Sequence, residues 1–328
     1  MRIGTIGTNF VVQSFIDAAR KAGAQVPAVY SRTEETARAF AQANGVSGIF
    51  TDREAFLAEE TLDFIYVASP NSLHFSWVRD ALNSGRNVLC EKPFVSTVRE
   101  FDELVALAAQ KGLLLLEAMT VPHLPNLKLL RELLPKIGTP RIVQLNFSQY
   151  SSRYDALLRG DSPNIFNPAF SGGAMMDLGC YNLRLLLELF GEPREVHYFP
   201  NRAQNGIDTS GVMIVRYDGL VCTSVACKDS RSQNTLQIQG EKGYILLPSV
   251  SSTLSEGFTV ITREGEEHFQ AQSEQNVLFY EIEAFVKAFR THDIAFCNAL
   301  LQQSRTEVQL LETARLAAGI VFPADEAH

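Results

Sequence analysis

The sequence predicts an α/β protein, with a doubly wound parallel sheet in its first part and an α+β domain with a mostly antiparallel sheet in its second. Three observations carry this. Short β-branched runs alternate with longer amphipathic stretches over the first half of the chain. A glycine stands at nearly every helix end there, as helix C-termini favour. Beyond Pro122 the rhythm changes, and strand-like runs follow one another across short turns. A length of 328 residues also exceeds what one core ordinarily supports, so two domains are expected.

Taken in order, residues 2–6 read as a short apolar strand and 10–22 as a helix stopped by Gly23. A strand over 26–30 precedes a helix over 33–44, which a Ser31/Thr33 cap opens and Gly45 closes. Residues 64–68 form a buried-type strand ending at Ser69-Pro70-Asn71. A helix over 73–84 closed by Gly85 follows, then a strand over 87–90. The helix 98–111, closed by Gly112, and the strand 113–117 complete a first domain of residues 1–120. Residues 121–328 form the second domain. It opens with a helix near 126–134 and a strand over 141–150. A stretch rich in Gly, Asn, Pro and Ser (160–173) leads to a helix over 174–189. Strands at 211–217, 220–227, 235–239 and 244–247 come next, with a weaker pair near Phe258 and His268. The turn Tyr217-Asp218-Gly219-Leu220 is a strong hairpin signal. Helices near 276–290 and 302–320 close the chain, and no short-period repeat suggests a solenoid.

Composition narrows the function classes. The chain is 46% apolar and 20% charged, which excludes intrinsic disorder. Mean hydropathy is −0.01, and an apolar run such as 113–116 is far short of a membrane span. A net charge of −8 argues against nucleic acid or an anionic membrane as partner. Residues 1–7 are too short an apolar run for a signal-peptide core. The five cysteines (Cys90, Cys180, Cys222, Cys227 and Cys297) are odd in number and widely spaced. Reduced thiols in a cytoplasmic protein, with neither disulfide nor zinc, are expected.

The first strand-to-helix turn reads Gly7-Thr8-Asn9-Phe10-Val11-Val12, where a dinucleotide fingerprint would read Gly-x-Gly-x-x-Gly/Ala. Only the first glycine is present. Asn9 is the mildest replacement at the second position, because Asn tolerates positive φ. Val12 at the third demands looser helix–strand packing. By itself this turn fits a plain βαβ connection as well as a cofactor site, although a helix start offers N–H groups to an anion in either case. The second strand ends in Tyr30-Ser31-Arg32-Thr33 instead of the Asp or Glu that would hold a ribose 2′-OH. A hydroxyl and a guanidinium suit a 2′-phosphate, so NADP(H) is preferred with NAD(H) possible, the alternative being a solvated surface arginine.

A longer signature runs from Phe64-Ile65-Tyr66-Val67-Ala68-Ser69-Pro70-Asn71-Ser72-Leu73-His74 to Gly85-Arg86-Asn87-Val88-Leu89-Cys90-Glu91-Lys92-Pro93. With Gly172-Gly173-Ala174-Met175-Met176-Asp177-Leu178-Gly179-Cys180-Tyr181 it resembles the Gfo/Idh/MocA oxidoreductase family. Glu117-Ala118-Met119 and the closing Ala317-Ala318-Gly319-Ile320-Val321-Phe322-Pro323 look like its dihydrodiol dehydrogenase branch. The resemblance implies a Rossmann domain followed by a domain with a large sheet that often forms the oligomer interface, hence a homo-oligomer, dimer or tetramer. It implies hydride transfer between a nicotinamide and a hydroxyl-bearing carbon of a sugar, polyol or dihydrodiol. It also implies a cis peptide before Pro93.

Three residues are expected to be catalytic. Lys92 lies just past the carboxyl end of a parallel strand, where open α/β sheets bind ligands, and its ammonium suits an oxygen that gains negative charge. Asp177 and Tyr181, four apart on a helix, share a face. Tyr181 stands where the family more often has His. A phenol with a pKa near ~10, against about 6.5 for imidazole, is a poor base at neutral pH unless a cation such as Lys92 favours the phenolate. Tyr181 is therefore assigned to proton transfer, Lys92 to electrostatic support and Asp177 to orienting the substrate or Lys92. Tyr181 also fits a packed aromatic on a core helix. The expected cofactor-binding residues are Gly7, Thr8, Asn9, Phe10, Val11, Ser31, Arg32, Ala68, Ser69, Pro70, Asn71, His74, Glu91 and Lys92, with His74 equally suited to a cap or the surface. His123, between Pro122 and Pro125, and Arg153 and Arg159 in the polar loop are further candidates for substrate contact. His197, His268, His292 and His328 read as surface or structural. The expectation is an NAD(P)-dependent dehydrogenase or reductase acting on CH–OH groups. The alternative is a catalytically retired dinucleotide- or sugar-binding regulatory protein of the same fold.

Overall fold

A computed structural model describes residues 1–326; His328 lies outside the described residues. The chain forms two compact units: Met1–Met119 with Asn276–Arg305, and Thr120–Gln275 with the residues from 306 onward.

In the first unit the alternation seen in the sequence becomes β1 (Arg2–Ile6), α1 (Phe10–Lys21), β2 (Gln25–Tyr30), α2 (Glu34–Asn44), β3 (Gly48–Phe50), α3 (Arg53–Leu57), β4 (Phe64–Val67), α4 (His74–Asn83), β5 (Asn87–Glu91), α5 (Val98–Lys111) and β6 (Leu115–Ala118). The strands lie in the order β3-β2-β1-β4-β5-β6. Every pairing is parallel, which is the dinucleotide-binding order with its switch point between β1 and β4. All of β4 is buried, as a strand covered by helices on both faces must be. Caps set the helix ends. The Thr33 hydroxyl accepts from Thr36 N–H at the start of α2, and Gly45 ends it in the left-handed region. The sequence reading lacks β3 and α3, which are only three and five residues long and carry too few side chains to show a period.

The second unit contains α6 (Pro125–Leu133), β7 (Pro140–Ser148), α7 (Tyr154–Leu158) and a π-helical turn (Met175–Gly179) that runs into α8 (Cys180–Phe190). Seven strands follow: β8 (Glu195–Arg202), β9 (Asp208–Tyr217), β10 (Leu220–Cys227), β11 (Thr235–Gly240), β12 (Gly243–Leu247), β13 (Phe258–Thr262) and β14 (Gly265–Phe269). The eight-stranded order is β14-β13-β12-β11-β7-β10-β9-β8. All neighbours are antiparallel except β7 with β10. Period-two burial shows the one covered face: Val143, Leu145 and Phe147 of β7 are buried while Ile142 and Gln144 are exposed. The unread strand β8 is polar and contains Pro200, which suits its place at the sheet edge. The helix expected over 174–189 differs too, since its first turn is π-helical and only residues from Cys180 are α-helical.

The second domain does not run unbroken from residue 121, and this corrects the sequence reading. Asn276–Arg305 belongs to the first unit. There α9 (Leu278–Thr291) buries Ile282, Phe285 and Val286 in the same core as Ile3, Phe15, Ile16 and Tyr66. Asn276 anchors its start by donating to the Ser14 carbonyl at 2.8 Å. The last long helix, α10 (Ile294–Ala317), is divided between the two units.

Candidate active site

In the first unit the expected cofactor residues stand at the carboxyl ends of β1, β2, β4 and β5. Gly7 has φ +108°, and a Cβ there would come within 2.8 Å of the Ala68 carbonyl oxygen, so only glycine fits the turn. Asn9 works differently from the expectation. Its φ is −84°, in the extended region, and it caps α1 by accepting from Val12 N–H at 3.0 Å. Its amide also donates to the Ala68 carbonyl at 3.3 Å, tying the β1 turn to the β4 turn. Val12 is fully buried, so this helix–strand packing takes a branched side chain where the fingerprint has glycine. Thr8 and Val11 are half-buried, while the Phe10 ring is 78% exposed. Ser31 is half-buried and Arg32 exposed, and among the described residues the Arg32 guanidinium has no ion-pair or hydrogen-bond partner.

His74 is a brace. It is 1% exposed, with Nδ1 3.0 Å from the Pro93 carbonyl oxygen and Nε2 3.0 Å from that of Ser69. This overturns the surface or capping role and leaves it supporting the turns that carry Ala68, Ser69, Pro70, Asn71 and Lys92. Burial pushes its imidazole pKa down, against the pull of the carbonyls. At the end of β5, Tyr66 donates to the Glu91 carboxylate. Burial raises the Glu91 pKa, opposed by that hydrogen bond and by the Lys92 charge. Lys92 is half-buried, and the Lys92–Pro93 peptide is cis. Cys90 is fully buried with its thiol pKa pushed well up by desolvation, which makes it a packed neighbour and a poor nucleophile.

These features fit a dinucleotide. A close-approach glycine turn at a helix start and a guanidinium at the end of β2 suit a pyrophosphate and a ribose phosphate.

In the second unit, Gly172-Gly173 leads into the π-helical turn. Asp208, at the start of β9, accepts from Met175 N–H at 2.7 Å and from the Tyr198 hydroxyl at 2.7 Å. Burial raises its pKa, and these hydrogen bonds lower it. Asp177 N–H donates to the Gly173 carbonyl at 3.1 Å, and the Asp177 carboxylate accepts from Lys228 Nζ at 2.5 Å. One turn on, the half-buried Tyr181 ring packs with Phe147, centroids 6.2 Å apart, against Ala174, Leu178 and Ala226. His123 keeps some exposure, yet burial and then the positive charge of Arg184 push its imidazole down to about 3, so it is neutral across the physiological range. Arg153 and Arg159 are exposed, and Arg159 lies 3.9 Å from Asp161. Sequence reasoning missed Asp208, Tyr198 and Lys228. For Lys228 a signal existed, since a lysine closes an apolar strand there as Lys92 does after β5.

A parallel sheet in this strand order with a close-approach turn at its switch point is the architecture of a dinucleotide-binding domain, and comparison with known proteins makes the chain an oxidoreductase. The profile of the Gfo/Idh/MocA oxidoreductase family with its NAD-binding Rossmann fold matches residues 1–119, and that of the family's C-terminal domain matches 129–246. The chain belongs to the Gfo/Idh/MocA oxidoreductase family. It is 38% identical to the uncharacterized oxidoreductase YgjR of Escherichia coli over 99% of this chain and 98% of the relative. It is 36% identical to the NADP(+)-dependent scyllo-inositol 2-dehydrogenase IolU of Bacillus subtilis over the full length of both. A structure of KijD10, a 3-ketoreductase from Actinomadura kijaniata, shares the fold with a TM-score of 0.85 at 21% identity, covering 96% of this chain and 97% of that one.

Proposed function

We propose that the protein moves hydride between NADP(H) and a hydroxyl-bearing carbon of a neutral polyol, sugar or dihydrodiol. The observation that carries this is Lys92 at the carboxyl end of β5, in the same unit and at the same sheet edge as the dinucleotide turn. The full-length similarity to a scyllo-inositol dehydrogenase supports the polyol class, as does 25% identity over 99% of this chain to the trans-1,2-dihydrobenzene-1,2-diol dehydrogenase of Sus scrofa. When bound, the nicotinamide supplies or accepts the hydride. Gly7, Thr8, Asn9, Phe10 and Val11 would hold the pyrophosphate side, and Ser31 and Arg32 the 2′-phosphate. Ala68, Ser69, Pro70, Asn71 and Glu91 would line the remaining strand ends. Lys92 donates to the substrate oxygen as charge develops there. Tyr181 takes or returns the hydroxyl proton, and Asp177 accepts from a second substrate hydroxyl.

The outward face of the eight-stranded sheet supports a homo-oligomer. Register aligns Phe199, Val212 and Val225 in one row and Val221, Ile142, Gln239, Tyr244 and Ile261 in another. Phe199 is 64% and Val221 37% exposed. Five cysteines, all free, support a cytoplasmic location.

The test is a panel of myo- and scyllo-inositol, D-glucose, D-xylose and trans-dihydrobenzenediol, followed by absorbance of the reduced nicotinamide. Turnover of a panel member is expected. Tyr181→Phe should then lose about 10²–10⁴-fold in kcat with cofactor affinity unchanged. NADPH binding without turnover of any of them would point to the retired regulatory protein, and near-normal activity in the variant would remove Tyr181 from the chemistry.

A further inference from the structure

We propose that Lys228 is a positioning residue for the reaction: its ammonium holds the Asp177 carboxylate in the one orientation that receives a substrate hydroxyl, and this sets substrate affinity. The inference rests on the substrate-binding role given to Asp177 above.

The pair is built from both sides. On one side the backbone of the π-helical turn is clamped by Asp208, through Met175 N–H, and Asp208 is itself locked by Tyr198. Space enforces the clamp, because a Cβ on Gly173 would lie 2.0 Å from Asp208 Oδ1. On the other side Lys228 directly follows β10, with its main chain fixed twice. Its N–H donates to the Thr209 carbonyl and its carbonyl accepts from Ser151 N–H, each at 2.9 Å. The next residue, Asp229, accepts from the hydroxyls of Thr209 at 2.7 Å and Ser210 at 2.8 Å and from Cys227 Sγ at 3.2 Å. Both backbones are held by hydrogen bonds of their own, so the Lys228–Asp177 bond joins two separately anchored segments.

The surface ion pairs of this chain contrast with it. Arg194 and Asp218, for example, are 70% and 76% exposed, and such pairs hold little. Here the Lys228 side chain is 8% exposed and that of Asp177 28%. The ammonium is withdrawn while the carboxylate keeps a face open. That asymmetry is expected of a support behind a binding group, and it leaves Asp177 oxygen surface for a hydroxyl donor. With its charge matched by Lys228, Asp177 favours neutral hydroxyl-bearing molecules over cationic ones.

A group that binds a non-reacting hydroxyl contributes equally to ground and transition states, so its misplacement raises KM and spares kcat. Lys228→Met keeps the length and removes the charge; Lys228→Arg keeps the charge. With NADP(+) and the best donor from the panel above, Lys228→Met should raise KM about 10- to 100-fold with kcat within about threefold, the loss expected of one charge-assisted hydrogen bond to the substrate. Lys228→Arg should recover at least half of that loss on a logarithmic scale, and NADPH affinity should be unchanged in both. A crystal structure of Lys228→Met should show the Asp177 carboxylate turned from its wild-type place, a readout independent of turnover. An unchanged KM, or an Asp177 carboxylate that stays put, overturns the proposal. Asp177→Asn separates the two ideas. If it raises KM while Lys228→Met does not, only the role of Lys228 fails. If Asp177→Asn leaves KM unchanged, the role of Asp177 fails and that of Lys228 with it.

Discussion

At the scale of a single residue, the proposed choice of cofactor turns on Arg32. It stands exposed at the end of β2, after Ser31, with its guanidinium unengaged among the described residues. A carboxylate at that place would repel a 2′-phosphate and hold a 2′-hydroxyl; a guanidinium does the reverse through its planar fork. Arg32→Ala should therefore weaken NADPH binding by roughly 10- to 100-fold and leave NADH within about threefold, as charge-assisted hydrogen bonds of about 1.5–3 kcal/mol predict. Fluorescence titration with both nucleotides checks this, and equal losses would show that Arg32 does not read the phosphate. Asn9 carries a second lesson at this scale. The fingerprint glycine is replaced by a side chain that caps the helix and bonds across to β4, so a departure from the motif brings hydrogen bonds of its own.

At the scale of elements, strands such as β1 and β10 and the helix α5 were legible to the residue, because local chemistry marks both ends of each. The start of α5 has Thr97 accepting from Glu100 N–H, and its end has Gly112 in the left-handed region. What was not legible depends on distant partners. The π-helical turn is fixed by Asp208, far along the chain, and the helix period of 174–189 contains no sign of it. For the same reason the cis peptide before Pro93 was readable from a local motif, while the contacts of His74 with the Ser69 and Pro93 carbonyls were not. Gly173 makes this element testable. Its φ of +107° is combined with the close approach of Asp208, whereas Gly160 has φ +91° and open space, with nothing within 4 Å of where a Cβ would stand. Gly160→Ala should cost about 1–2 kcal/mol of strain alone. Gly173→Ala should cost roughly 2–4 kcal/mol more, because Asp208 must leave buried partners. Thermal melts of the two variants compare them, and equal losses would deny the clamp.

For the whole molecule, the outward sheet face is the surface on which the proposed homo-oligomer is tested. Isolated exposed apolar residues are ordinary, but Val221 and Ile142 are direct neighbours in one row, each 37% exposed, with Tyr244, 36% exposed, one strand beyond Gln239, and clustered apolar surface of this kind is what interfaces cover. Val221→Glu should shift the mass measured by light scattering from an oligomer to the 36.4 kDa chain, while a wild-type protein that is already monomeric would remove the proposal. Domain organisation was half legible at this scale. The change of rhythm near residue 120 marks the first crossing between units, but the return of Asn276–Arg305 has no local signature, since an amphipathic helix such as α9 does not state which core it will enter.

The single parallel pairing in the eight-stranded sheet has one more consequence. β11 to β14 form a run of neighbours in sequence, and so do β8 to β10, whereas β7 joins β10 on one flank and β11 on the other across long stretches of chain. The entropy of closing long loops is thus concentrated in one nine-residue strand. Any partly folded chain that lacks it presents two bare edges at once, those of β10 and β11, where unpaired N–H and C=O groups invite pairing with another molecule. The seam that makes the sheet continuous in the native state is thus also a point of exposure to aggregation while the chain is being made.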